Sequence, residues 1–168
     1  MADLTPTERL QPCLLDRLWD DDPGSQKESR ERRVISLRRY RQGVLRDLAW
    51  LLNTNCRLQA EHIEAFGQAA DSVLNYGIPD LCGLTASGVS VVELERMMVQ
   101  AIRRFEPRIL PESLVVKAIT AADQIDHNAV SFEIQGELWA QPMPDTLYVR
   151  TDLDLETGQY AFRGESHG

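Results

Sequence analysis

The chain has 168 residues, 43% of them apolar and 26% charged, which fits one soluble domain with a real core and is short for two. Its net charge of -8 and pI near 4.9 argue against nucleic acid as the main partner. No run of about 18 apolar residues occurs, so neither a membrane span nor direct membrane insertion is expected.

Residues 1–17 lack a basic start followed by a continuous apolar block, which argues against a secretory signal. Cys13, Cys56 and Cys82 are odd in number, far apart and in no C-x-x-C pair. They fit a reducing cytoplasm better than a disulfide framework or a zinc site. Leu14, Leu15, Leu18 and Trp19 share one face of a short predicted helix, which Asp20-Asp21-Asp22-Pro23-Gly24 ends. Such a helix can dock on its own core or on a partner. Residues 24–33 read as a polar linker.

Arginines then gather between Arg30 and Arg46, among them Arg38, Arg39, Arg41 and Arg46. On an acidic chain they form either a solvated helix face or a contact for an acidic protein surface. Few aromatic residues interleave with them, which leaves nucleic acid the weakest reading. Leu37, Tyr40, Val44, Leu48, Leu51 and Leu52 recur every three or four residues. That spacing predicts an amphipathic helix packed on the core, with Ser36 as its N-cap and Asn53-Thr54-Asn55 as its end. Gly43 inside this helix marks a close contact. Ser72 to Asp80 reads as a single apolar turn closed by Gly77 in a left-handed conformation, with a loop over Asp80 to Gly88.

Ser90 and Glu93 have the spacing of a capping box. Val91, Leu94, Met98, Ile102 and Phe105 line one face of the helix that follows. Phe105-Glu106-Pro107-Arg108 stands where this helical period gives way to the alternation of strands. A carboxylate at a helix C-terminus meets the wrong end of the dipole, and Pro107 pushes Glu106 out of helical geometry. A cation should compensate, and Arg108 or a basic residue of a partner is the candidate. The junction is either an exposed pair worth about 0–1 kcal/mol or a fixed recognition point.

Leu114 to Ala121 is rich in β-branched and small apolar residues. Val130, Phe132, Ile134 and Leu138 alternate with polar residues, as in a half-buried antiparallel strand after a turn at Asp126-His127-Asn128. Leu147, Val149, Leu153 and Leu155 share a face of the next strand, and Glu156-Thr157-Gly158 turns the chain into a short return strand over Gln159 to Arg163. The fold class expected is therefore α+β, with helices packed on a small, mostly antiparallel sheet. The expected divisions are a tail, docking helix and linker over 1–33, one domain over 34–164, and a frayed end over 165–168.

Phosphate loops, nucleophile elbows and His-Glu-x-x-His are missing from the sequence, and His62, His127 and His167 are scattered. No cofactor or metal is expected. Carboxylates abound, but a glycosidase acid needs a raised pKa, and an arginine beside Glu106 favours the ionised form.

Several stretches together are similar to the TssE-type baseplate subunits of type VI secretion systems. Leu14-Leu15-Asp16-Arg17-Leu18 with Asp20-Asp21-Asp22-Pro23 resembles their N-terminal signature, and Arg46 to Thr54 their first core helix. Ser72 to Leu81 resembles their central loop, and Leu153 to Gly158 their closing hairpin. Phe105-Glu106-Pro107-Arg108 resembles the Glu-Pro-Arg motif of the wider family of contractile-phage baseplate wedge proteins. The resemblance implies a structural, non-enzymatic part in a cytoplasmic baseplate assembled at the inner membrane. The implied partners are the wedge subunits TssF, TssG and TssK and the sheath proteins TssB and TssC. Glu106, Pro107 and Arg108 would then form or fix a wedge contact. Leu14, Leu15, Asp16, Arg17, Leu18 and Trp19 would dock on a neighbouring subunit, and the strand with Leu147, Val149, Leu153 and Leu155 would carry the sheath-facing edge. The family is also labelled lysozyme-like, which supplies a rival reading as a peptidoglycan-cleaving muramidase.

Overall fold

The computed structural model describes residues 13–18, 24, 36–56, 64–80, 90–119, 129–140 and 143–163. Trp19, the Asp20–Asp22 run, most of the 24–33 linker, the Asp126-His127-Asn128 turn, most of the Asp80–Gly88 loop and the 165–168 tail lie outside the described residues. The fold is α+β. A short helix α1 (Leu14–Leu18) precedes α2 (Leu37–Leu52) and α3 (Val91–Phe105). Four antiparallel strands follow: β1 (Val115–Ile119), β2 (Ala129–Leu138), β3 (Asp145–Asp154) and β4 (Tyr160–Arg163). Their order in the sheet is their order in the chain.

Alternation along the strands explains the layering. Phe132, Ile134 and Leu138 of β2 and Leu147, Val149 and Leu153 of β3 point to one face and are buried. They meet Tyr40, Val44, Leu48, Leu51 and Leu52 of α2 and Leu94, Met98 and Ile102 of α3 in one core. Leu37 and Val91, the first residues of α2 and α3, stay exposed, because a first turn overhangs the core it leads into.

Local signals account for most helix ends. Ser36 Oγ accepts the Arg39 N–H and caps α2. Ser90 sits at the N-cap of α3 without a side-chain cap bond. The capping box expected there is not formed, because Glu93 reaches forward to Arg96 at 2.5 Å instead. Val73–Asn75 forms a single 3-10 turn before Gly77, which has φ of +116°. A β-carbon on Gly77 would stand 2.1 Å from the Thr54 carbonyl oxygen, so both conformation and space require glycine. The close approach lets Ile78 N–H donate to Thr54 O at 2.9 Å and Cys56 N–H to Ile78 O at 2.8 Å.

The sheet corrects the edge that the resemblance implied for the strand with Leu147. β3 pairs with β2 along its whole length and with β4 from Arg150 to Leu153. Leu147, Val149, Leu153 and Leu155 are core residues, at most 3% exposed. The outer strands are β1 and β4. Helix residues reach the outer backbone at three places. Glu95 of α3 accepts the Ala118 N–H of β1 at 2.7 Å. Asn53, at the end of α2, takes the Tyr160 N–H of β4 at 2.8 Å and donates to its carbonyl at 3.0 Å. Arg41 donates to the Thr146 carbonyl at 2.5 Å, in the half of β3 that β4 does not cover. Each polar side chain satisfies backbone that an added strand would otherwise take.

Candidate functional site: a buried charge network at the helix–sheet junction

Helix α3 ends as Glu106 leaves helical geometry, with φ of -119° and ψ of 78°, while its N–H still bonds Ile102 O at 2.8 Å. A turn then runs from Glu106 to Ile109, closed by Ile109 N–H on Glu106 O at 3.2 Å. Pro107 takes its second position, which suits a fixed φ and needs no N–H. The turn returns the chain to the sheet, where Trp139 N–H donates to Arg108 O at 2.7 Å and Leu110 N–H to Glu137 O at 2.8 Å.

This backbone folds Arg108 over Glu106. Arg108 Nε reaches Glu106 Oε1 at 2.7 Å, and Nη2 reaches Oε2 at 2.5 Å. The Arg108 N–H also donates to Oε1 at 3.1 Å. Glu106 is only 3% exposed, so the junction is no surface pair. A forked guanidinium matches the two carboxylate oxygens, and the backbone bond holds the fork in register.

The pair extends into α2. Arg108 Nη2 reaches Asp47 Oδ2 at 2.6 Å, and Asp47 Oδ1 accepts from Arg46 Nε at 2.8 Å. Arg46 Nη1 in turn binds Asp16 of α1. The guanidinium of Arg46 also lies over the Trp50 ring, 5.1 Å from its centroid. Three carboxylates and two guanidiniums thus alternate from the end of α3, across α2, to α1. Burial alone would lower the Arg108 pKa, but hydrogen bonds and charge from Glu106 and Asp47 outweigh it and raise it. Hydrogen bonds that Arg46 donates to Asp16 and Asp47 likewise raise its own pKa. The Arg46 bond holds the Asp16 carboxyl below its usual range.

Beside the network lies a cavity of about 830 Å³, walled by Leu15, Tyr40, Trp50, Tyr76, Phe105 and Trp139. Tyr76 and Phe105 pack edge to face, with centroids 5.2 Å apart. Tyr40 ties α2 to the end of β2 by donating to Trp139 O at 3.2 Å.

The structure brings some sequence candidates together and separates others. Glu106, Pro107 and Arg108 form the centre, and Arg46 and Asp16 join them. Arg41 turns away, pairing with Asp145 at 2.8 Å. Arg38 and Arg39 are exposed near the start of α2. Of the four arginines, Arg41 and Arg46 meet carboxylates of their own chain. The α1 backbone includes Arg17, while Trp19 lies outside the described residues. Sequence reading gave Asp47 no role. The signal was there: Asp47 falls at helical spacing from Val44 and Leu51, and a carboxylate beside an apolar stripe needs a partner.

An α+β domain whose helix–sheet turn is pinned by a buried Glu-Pro-Arg fork has the makings of a rigid assembly part. Among the described residues, no group of three or more histidines, cysteines, aspartates or glutamates could hold a metal ion. The family model of baseplate wedge protein gp25 matches residues 38–143, more than half of the chain, and this chain belongs to that family. The matched span runs from α2 to just short of β3 and includes the Glu106–Arg108 fork and Asp47. No curated protein and no solved structure matches the chain. Membership makes the chain a structural baseplate component that meets other baseplate components.

Proposed function

We propose that the chain is the TssE-type wedge subunit of a type VI secretion baseplate, joining TssF, TssG and TssK to the start of the TssB–TssC sheath. The family match over residues 38–143 carries this reading, because it contains the whole Glu106–Arg108–Asp47 core of the network. The fork fixes the turn that a wedge neighbour meets, and α1 offers Leu14 and Leu18 to the same neighbour. The protein works in the cytoplasm, at a baseplate assembled on the inner membrane. Its part is structural: both Glu106 oxygens accept from Arg108, an arrangement built for a fixed fork and not for handing a proton to a sugar.

Fluorescence microscopy of tagged sheath tests this, in cells carrying Glu106→Ala, Arg108→Ala or no copy of the gene, with protein levels checked by blot. Sheaths fail to form in all three, including cells in which expression of the variants is raised to the native protein level. Normal sheaths with loss of target killing would overturn the reading and make peptidoglycan clearance the next assay.

A further inference from the structure

Helix α1 is seated in an unusual way. An amphipathic helix docks by burying its apolar side chains, yet Leu14 is 70% and Leu18 73% exposed, and Leu15, on the cavity wall, is still 47% exposed. Five residues cannot hold a helix on propensity alone. What fixes α1 is Asp16. One of its oxygens binds Arg46 Nη1. The other lies against Gly43 of α2, where a β-carbon would stand only 3.3 Å away. The seat thus packs closely on a glycine and takes an arginine for charge, and α2 supplies both one turn apart. Cys13 adds a weak bond from its Sγ to Asp16 Oδ2 at 3.0 Å.

Arg108 shows what α1 covers. Its Nε and Nη2 are taken by Glu106 and Asp47, which leaves Nη1 on the α1 side. That nitrogen faces the same seat, 3.8 Å from the position of a Gly43 β-carbon. With α1 in place, Cys13 and Leu15 form a wall of the aromatic cavity.

We propose that α1 is an electrostatic latch, held shut by Asp16 in the Gly43–Arg46 seat, which opens as a unit to uncover the aromatic cavity while the body stays folded. Opening frees Leu15 from the cavity wall to join the already exposed Leu14 and Leu18, and an apolar partner surface that binds this completed face favours the open form by that difference in affinity. This device does not depend on which contractile machine the subunit serves.

Hydrogen exchange on the full-length protein tests the latch, comparing the native chain with Asp16→Ala. Amides of residues 14–18 exchange at least about fivefold faster in the variant, while those of α2, α3 and β2 keep their rates. Raising salt from about 0.05 M to about 0.5 M speeds the same amides in the native chain and leaves the variant unmoved, because the latch is an ion pair. The apolar anionic dye anilinonaphthalene sulfonate, the probe for the opened cavity, fluoresces severalfold more with the variant than with the native chain. Two results would overturn the proposal. Unchanged exchange at 14–18 in both the variant and high salt would show that Asp16 does not hold the helix. Faster exchange throughout α2 and β2 would show that α1 belongs to the cooperative core.

Discussion

Two rows of charge cross this molecule and differ in what surrounds them. At the junction, Asp16, Arg46, Asp47, Arg108 and Glu106 are linked around a carboxylate that is almost fully buried. On the outer face of the sheet, Lys117, Glu133, Arg150 and Arg163 stand opposite one another on four successive strands. There the Tyr148 hydroxyl and then Arg150 hold the Glu133 pKa down, at 2.5 and 2.9 Å. Both rows have short, charge-assisted bonds. Only the Glu106–Arg108 fork of the first row, with side chains 4% and 18% exposed, is shut off from water as an alternative partner, so only there does losing one member strand another.

That difference ranks the expected effects. Glu106→Ala leaves Arg108 buried with a single carboxylate, Asp47, and is expected to cost about 3–5 kcal/mol, read as a lowered urea midpoint with the slope unchanged. Asp47→Ala removes one arm each from Arg108 and Arg46 but leaves the fork intact, and is expected to cost about 1.5–3 kcal/mol in the same assay. Equal losses from Glu106→Ala and Asp47→Ala would blur the contrast between the buried fork and its half-buried extension. A smaller effect follows pH. Seating lowers the Asp16 pKa from its ordinary 3.8, so the seat gains stability above that value and loses it as pH falls below 3.8 and through the lowered value. The indole resonance of Trp50, which stacks on Arg46, should report that transition and stay still through neutral pH. On the outer face, Arg150→Ala should leave the melting midpoint within repeat-measurement error, since that side chain is open to solvent. A clear drop there would break the comparison.

Much of the fold was legible because it rests on period. The three- and four-residue spacing of α2 and α3, the alternation of β2 and the Ser36 cap are local facts, and the structure keeps them. Parts that depend on distant partners were not. Asp47 meets Arg108 across 61 positions, and nothing adjacent to either announces the other. The Ser90–Glu93 box failed because Arg96 gave Glu93 a nearer counter-charge. The edge role of β3 came from the resemblance and not from its residues, and the return strand β4 covers part of it while the core takes its apolar face. The Glu-Pro-Arg junction was legible as a switch point. Its burial was not, because whether a charge sits inside depends on what packs over it.

The most direct test of the buried fork is a double-mutant cycle on Glu106 and Arg108, with each alanine variant and the pair unfolded in urea. Two groups that compensate each other inside the protein should couple, so the double variant is expected to cost about 2–3 kcal/mol less than the two single losses together. Losses that add to within about 0.5 kcal/mol would mean that the two side chains act independently, and that the junction is held by its turn and its apolar neighbours instead of by the fork.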